Sequence, residues 1–393
     1  MLNGSEAPRR VLVVTRKFWP MVDESTLRLM HTIEAWRSRG IHATVVTARW
    51  HPQWPERAML RDTPVFRLLP APRTNWNEGQ FQRNVSTWIQ SRVDAFDAIY
   101  VDRSDGLLAT ICQRGRGWNL PVMARFSLES PPPELARSQW FSPSAAADAL
   151  RPCDRVIVAS PFAQRVLQTH GIAADRIAWI PDMVSGRALR TAAARQSALA
   201  ALTAVSSGFA VPAHTDLIIH FGSAEPKGLT NAALAVCDLL DAGRLVRMWI
   251  FGAGAATETV YQSVQSRGWH REILLFEPFD DLEELISVAD LAIVSHPESA
   301  LQFSAPLIVA SELPMTMAST VESMHWLPET HLMKWYDNRE SLHERLRDWI
   351  VHRQQWLAEA TALRAHALNH LEIDRHRDLW RTAVVSDQRE ARR

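Results

Sequence analysis

Short apolar runs, each breaking off in small or polar residues and followed by a helix-forming stretch, constrain this chain more than any other feature. In the second half, Leu217-Ile-Ile-His-Phe-Gly-Ser-Ala-Glu-Pro-Lys-Gly228 leads into an Ala/Leu-rich segment from Thr230. Leu245 to Gly254, Ile273-Leu-Leu-Phe-Glu-Pro278 and Ala289-Asp-Leu-Ala-Ile-Val-Ser-His-Pro-Glu298 repeat the pattern. Such runs, alternating with helical stretches, predict strands of a parallel sheet covered on both faces. Each stops where a parallel strand would reach its carboxyl end, and ligands of open α/β sheets sit beyond that edge. Glycine there admits backbone N–H groups to an anion, and a following helix N-terminus adds partial positive charge. The expectation is a phosphate-directed edge with Lys227 as its point charge.

Composition isolates that residue. Lysine occurs only at Lys17, Lys227 and Lys334, and the other 40 of 43 basic residues are arginine. Net charge is zero overall, yet residues 1–190 hold 25 Lys/Arg against 17 Asp/Glu, a net of +8, and the remainder carries −8. Two differently charged solvated surfaces account for this asymmetry, as do complementary halves or a basic half facing anionic lipid or substrate.

The length of 393 residues exceeds what one core usually supports and predicts two domains. Cys112, Cys153 and Cys237 are far apart and form no CxxC pair, so neither a disulfide framework nor a zinc site is expected. Met1 to Arg10 lacks the apolar core of a secretory signal, and no run approaches membrane-spanning length. A cytoplasmic protein is expected, with peripheral membrane contact through the basic half.

Along the chain, Arg10–Thr15, a helix over Leu27–Arg39 ended by Gly40, and a strand at Ala43–Thr47 form a βαβ unit. Further strands are predicted at Val65–Leu69, Ala98–Val101, Val122–Phe126, Arg155–Ala159 and Ile177–Ile180, with helices at Asn84–Ala95, Gly106–Arg114 and Phe162–His170. Residues 1–184 make the first domain, and the Ala/Ser/Arg-rich stretch 185–215 an interdomain segment. A second α/β domain follows over 216–336. Leu342, Leu346, Ile350, Trp356, Ala360, Leu363 and Ala367 keep helical spacing in 337–393, whose last helix is expected to pack back on the first domain.

Particular residues now carry a resemblance. Val11–Thr15, Phe18-Trp-Pro20 and Arg37-Ser-Arg-Gly40 look like the opening strand, aromatic–proline loop and helix end of the retaining, nucleotide-sugar-dependent glycosyltransferases of family 4. Cys153 to Ser160, Gly171 and Ile180-Pro-Asp-Met-Val184 are similar to the segment closing that family's first domain. Phe221-Gly222, Lys227-Gly228, Phe251-Gly-Ala-Gly254 and Ala289–Ser295 resemble its donor-binding domain. The resemblance implies the GT-B fold: two Rossmann-like doubly wound domains facing across a cleft, with long C-terminal helices. It further implies hexose transfer from a UDP- or GDP-sugar to a glycan or lipid acceptor, with retention, no metal and no cofactor beyond the donor. Lys227 and Glu298 are the implied catalytic residues. Gly222, Ser223, Lys227, Gly252, Gly254, Glu298 and Ser299 are the implied donor contacts.

The chain departs from that pattern at several positions. Asp23-Glu24 replaces the glycine pair beside the donor diphosphate, where each carboxylate–phosphate pair would be repelled by about 1 kcal/mol even in water. Ser223 stands for the phosphate-binding arginine and Ser127 near the histidine. The second of two spaced glutamates falls at Pro306 or Leu307. These losses motivate two alternatives: a catalytically inactive scaffold in polysaccharide biosynthesis, or a sugar-nucleotide epimerase.

Other features compete for attention. Arg125 either supplies the missing positive charge or closes a salt bridge at the core edge. Gly252 and Gly254 with Glu277 form a partial dinucleotide fingerprint whose third glycine is Thr257. His366 and His370 share a helix face at metal-ligand spacing but lack a third ligand. Trp50, Trp54 and Trp76 are packing residues or platforms for a sugar or membrane. No nucleic-acid partner is expected, and oligomeric state is left open.

Overall fold

The computed structural model describes residues 9–102, 106–126, 143–180, 192–220, 226–252, 254–277, 282–295, 301, 303–320, 323–327, 331–371 and 379–380. The chain divides into two compact units, one of Met1–Met21, Arg28–Pro181 and Asp374–Arg393, the other of Val22–Leu27 and Asp182–Ile373.

The first unit holds β1 (Arg9–Val14), β2 (Ile41–Ala48), β3 (Arg57–Leu60), β4 (Thr63–Leu68), β5 (Ala98–Val101), β6 (Val122–Phe126), β7 (Arg155–Val158) and β8 (Ile177–Trp179). They lie in the order β3-β4-β2-β1-β5-β6-β7-β8, parallel throughout except for β3. From β1 the chain winds outward through β2 and β4, then crosses to β5 on the other side. The switch point therefore lies between β1 and β5. Helices α1 (Glu24–Arg37), α2 (Asn75–Gln90), α3 (Gly106–Trp118), α4 (Pro143–Leu150) and α5 (Pro161–Thr169) alternate with the strands. Trp380 is buried in this unit's core, with its ring 5.1 Å from Trp36 and 5.7 Å from Tyr100.

Two local departures from pattern reading have identifiable causes. Helix α2 starts nine residues before Asn84 because Thr74 caps it, its side chain accepting from the Asn77 N–H at 3.2 Å. Strand β3 arises from a hairpin through Arg61 and Asp62, at φ 44° and 63°. Neither is glycine, so the usual hairpin signal is missing.

The second unit holds β9 (Asp216–His220), β10 (Val246–Phe251), β11 (Ile273–Phe276), β12 (Leu291–Val294), β13 (Met315–Ala318) and β14 (Lys334–Tyr336), all parallel, in the order β11-β10-β9-β12-β13-β14. Its helices are α6 (Ala192–Val205), α7 (Pro226–Asp241), α8 (Thr257–Ser266), α9 (Leu282–Val288), α10 (Ser304–Ala310), α11 (Arg339–Val351) and α12 (Arg353–Leu371). The winding repeats that of the first unit, with the switch point between β9 and β12.

The stretch 185–215, expected to be an interdomain segment, belongs over its described part to the second unit. Arg195 on α6 clasps Asp290 through two hydrogen bonds of 2.6 and 2.9 Å, and Asp290 also accepts the Leu217 N–H at 2.9 Å. Leu202 and Phe209 bury beside Trp249, where the Phe209 and Phe276 rings stack 4.4 Å apart. On α6, Leu202 and the small Ala198 lie in one buried cluster with Leu282, Leu285 and Ile286 of α9.

Helix α7 begins with Pro226, whose fixed φ suits the first helical position. It ends at Gly243 (φ 74°), where Gly243 N–H bonds Leu240 and Arg244 N–H bonds Leu239, a Schellman closure. Asp238 on α7 accepts from Arg339 and Arg267. Burial opposes its charge, but these hydrogen bonds outweigh that cost and hold the carboxyl below its usual range.

Buried and exposed ion pairs should respond differently to truncation. Arg28 and Asp102 meet at 2.7 Å with side chains 4% and 3% exposed. Asp102→Ala is expected to cost about 3 kcal/mol or more, since it strands a buried guanidinium. Asp148→Ala, which breaks the exposed Arg151–Asp148 pair, should stay within about 1 kcal/mol. Calorimetric melting of both variants checks the contrast.

Candidate functional site

The carboxyl edge at the second switch point gathers residues from three elements. His220 ends β9 with no exposed surface, and its Nε2 lies 2.5 Å from Oγ of Ser295, the residue after β12. Lys227 and Gly228 occupy the first turn of α7. A Cβ on Gly228 would meet the Ser295 carbonyl oxygen at 3.3 Å, so glycine is what allows α7 to seat against the end of β12. That contact carries Lys227, which is exposed, to the same edge as the His220–Ser295 pair. Tyr336 at the end of β14 donates to the Val294 carbonyl at 3.2 Å, and burial pushes its phenol up, so it acts as a neutral donor.

Among the expected donor contacts, Gly252 and Gly254 follow β10 at φ 74° and 53°. Their backbone lies in the left-handed region, and a Cβ at Gly254 would meet nothing within 4 Å. Conformation, rather than space for a ligand, accounts for that glycine. Gly222, Ser223, Glu298 and Ser299 lie outside the described residues, as does Ser127. Glu277 is exposed just beyond β11.

The acidic pair takes a different part from the one its position suggests. Asp23 caps α1, its Oδ1 accepting from the Thr26 N–H and the Ser25 hydroxyl, both at 2.8 Å. Glu24, only 6% exposed, accepts the Ser304 N–H at 2.9 Å where α10 begins. Both residues fall in the second unit. Helix starts carry unsatisfied N–H groups and partial positive charge, which is why carboxylates settle there.

In the first unit the switch point holds a buried charge cluster. Asp102 follows β5, and its backbone N–H bonds Val14 at the end of β1. Its carboxylate takes two hydrogen bonds from Arg28, at 2.8 and 2.7 Å, and one from the Tyr100 hydroxyl at 2.9 Å. Burial and then Asp102 push the Tyr100 phenol far up, while Arg28 and Arg125 pull the other way. Arg125, a candidate for the missing positive charge, is thus a buried member of this cluster, 3% exposed on β6. Trp50 is half-buried and donates to the Arg16 carbonyl at 2.7 Å, and Trp54 is half-buried. Trp76 stands 76% exposed on the first turn of α2.

His366 is half-buried on α12, and the His370 side chain lies outside the described residues. Among the described residues no group of three or more His, Cys, Asp or Glu is placed to hold a metal ion. None of their helices is long and apolar enough to cross a membrane.

Pattern reading did not single out His220, Ser295 or the Arg28–Asp102 pair. Their signal was faint but present: His220 is the one polar residue closing an apolar run, and Asp102 likewise ends Ala98-Ile-Tyr-Val101.

Two doubly wound parallel sheets, each with its switch point beside β1 or β9, define the GT-B class. Residues 25–182 match the model of the glycosyl transferase 4-like domain. Solved structures agree over nearly the whole chain. The Anabaena protein HepE in complex with UDP and glucose has a TM-score of 0.74 at 16% identity, covering 96% of this chain and 100% of its own. Sucrose-phosphate synthase from Thermosynechococcus elongatus gives 0.76 at 14% identity, with coverage of 96% and 100%. WaaG, a glycosyltransferase involved in lipopolysaccharide biosynthesis, gives 0.71 at 14%, again with 96% and 100%. No curated protein sequence matches the chain. The chain therefore has the GT-B fold, with a glycosyl transferase 4-like domain matched over residues 25–182.

Seating of α7 is directly testable. Gly228→Val would thrust methyl groups against Ser295 and should lower the melting temperature, as overpacking costs about 1–3 kcal/mol. Gly243→Ala, at a helix end with nothing within 4 Å of the added Cβ, pays only the left-handed backbone strain and should change local exchange near residue 243 rather than near 295. Amide hydrogen exchange distinguishes the two.

Proposed function

We propose that this protein transfers a hexose from a nucleoside-diphosphate sugar, UDP- or GDP-linked, to a glycan or lipid acceptor with retention and without a metal. The observation that carries the reading is Lys227, an exposed cation seated by Gly228 on the carboxyl edge at the switch point. HepE, similar in fold, binds UDP-glucose. In this reading the second unit takes the donor. The bond from the anomeric carbon to the phosphate oxygen breaks, a bond to the acceptor oxygen forms on the same sugar face, and the acceptor hydroxyl proton passes to the departing diphosphate. The Lys227 ammonium stabilises the departing diphosphate as its charge develops, the term that usually weighs most in such catalysis. Glu298 and Ser299 would orient sugar hydroxyls, and Gly222, Ser223, Gly252 and Gly254 would line the nucleotide. The first unit takes the acceptor, for which exposed Trp76 offers a stacking face. A cytoplasmic location, with the basic half touching membrane, suits a role in polysaccharide biosynthesis.

A second reading, a non-catalytic descendant that binds glycan or partner, is favoured by one contact. The Glu24 carboxylate, which stands where the resemblance would put a glycine, is turned to an internal partner, the Ser304 N–H.

Titration calorimetry with UDP and GDP separates these readings. Wild type is expected to bind one of them, and Lys227→Ala to weaken binding by about tenfold to a hundredfold, the value of about 1.5–3 kcal/mol for a hydrogen bond to a charged group. Binding untouched by Lys227→Ala would defeat the transferase mechanism. Turnover of UDP- or GDP-sugars, followed by product NMR, decides between enzyme and scaffold.

A further inference from the structure

Away from the switch point, helices α7 and α11 border a solvent-open pocket of about 270 Å³. Its walls bring together Arg244, Arg347, His343, Asp238, Leu239 and Ile350, among others. Three features give it a chemical preference. First, the Arg244 and Arg347 side chains make no ion pair or hydrogen bond among the described residues, and neither does the buried Nδ1 of His343. Second, the one carboxylate in the wall is already neutralised. Asp238 accepts three hydrogen bonds from Arg339, at 2.6, 2.7 and 3.1 Å, and another from Arg267 at 2.9 Å. Third, the Schellman closure of α7 satisfies the Leu239 and Leu240 carbonyls, so the negative end of that helix is muted beside Arg244.

Two unpartnered guanidiniums around a space of this size suit a dianion, and a fork of N–H donors matches phosphate geometry in particular. Leu239 and Ile350 add an apolar wall for an organic body. Ligand sites commonly combine a mainly apolar lining with a few such polar groups. Lys227 lies at the other end of α7, about 20 Å away at 1.5 Å of rise per residue. One small ligand cannot span both.

We propose that this pocket is a second ligand site, taking a small organic phosphate monoester through Arg244 and Arg347, with the organic part against Leu239 and Ile350. Its position on the helix that carries Lys227 makes α7 a shared element of both sites.

Phenyl phosphate and inorganic phosphate are the probes, titrated calorimetrically into the full-length protein. Wild type is expected to bind phenyl phosphate more tightly than inorganic phosphate. Arg244→Gln/Arg347→Gln should weaken phenyl phosphate by about tenfold or more, the loss expected for charge-assisted contacts. Each single variant should fall between, and Lys227→Ala should leave this binding unchanged. Both arginines are exposed, so the variants should melt with wild type, and amide exchange along α7 and α11 confirms their fold. Equal binding by wild type and the double variant overturns the proposal. So does an absence of binding to wild type at millimolar probe, or binding that disappears in Lys227→Ala while surviving in the double variant.

Discussion

Both halves of this protein depend on one constraint: a parallel strand covered on both faces has no room for a polar side chain except at its ends. The central strands β1, β5, β9 and β12 are buried along almost their entire length. Charged or hydrogen-bonding groups placed mid-strand would lose hydration with no partner, a cost of several kcal/mol. Polar chemistry is therefore driven to the carboxyl edges, where Asp102 closes β5 and where His220 and Ser295 close β9 and β12. The winding order then matters more than any one residue, because it opens the sheet between neighbours whose connections depart in opposite directions.

The two switch points use that edge in opposite ways. In the first unit it is filled from within, by Arg28, Asp102 and Tyr100, with Arg125 nearby, all buried. Such a cluster rigidifies the strand ends, and each member is costly to lose. In the second unit a single exposed lysine stands at the edge, seated by a glycine that allows α7 to touch β12. The anionic counterpart is also internal: Glu24 contributes its carboxylate to the start of α10.

Strand positions were legible because each is a continuous apolar run, and all eleven strands expected or quoted as apolar runs in the two halves recur at those places. Departures elsewhere had physical causes. Strand β3 turns on Arg61 and Asp62 in left-handed backbone, which no glycine announced. Helix α6 looked like a linker because small residues pack without looking hydrophobic, and Arg195 meets its acceptor, Asp290, 95 residues away. Asp23 and Glu24 read as neighbours of a diphosphate, since local sequence does not reveal which helix start will receive a carboxylate.

What the amino-acid order determined alone was the alternation of strand and helix, the two-sheet α/β class and the placing of Lys227 beside a helix start, because these follow from local periodicity and turn chemistry. Tertiary structure alone decided the partnerships: His220 with Ser295, Glu24 with Ser304, Arg28 with Asp102, and Arg244 with Arg347 around one pocket. Those pairs join residues 74 to 280 positions apart. Their meeting depends on how sheets wind and helices seat, which no local stretch of chain encodes.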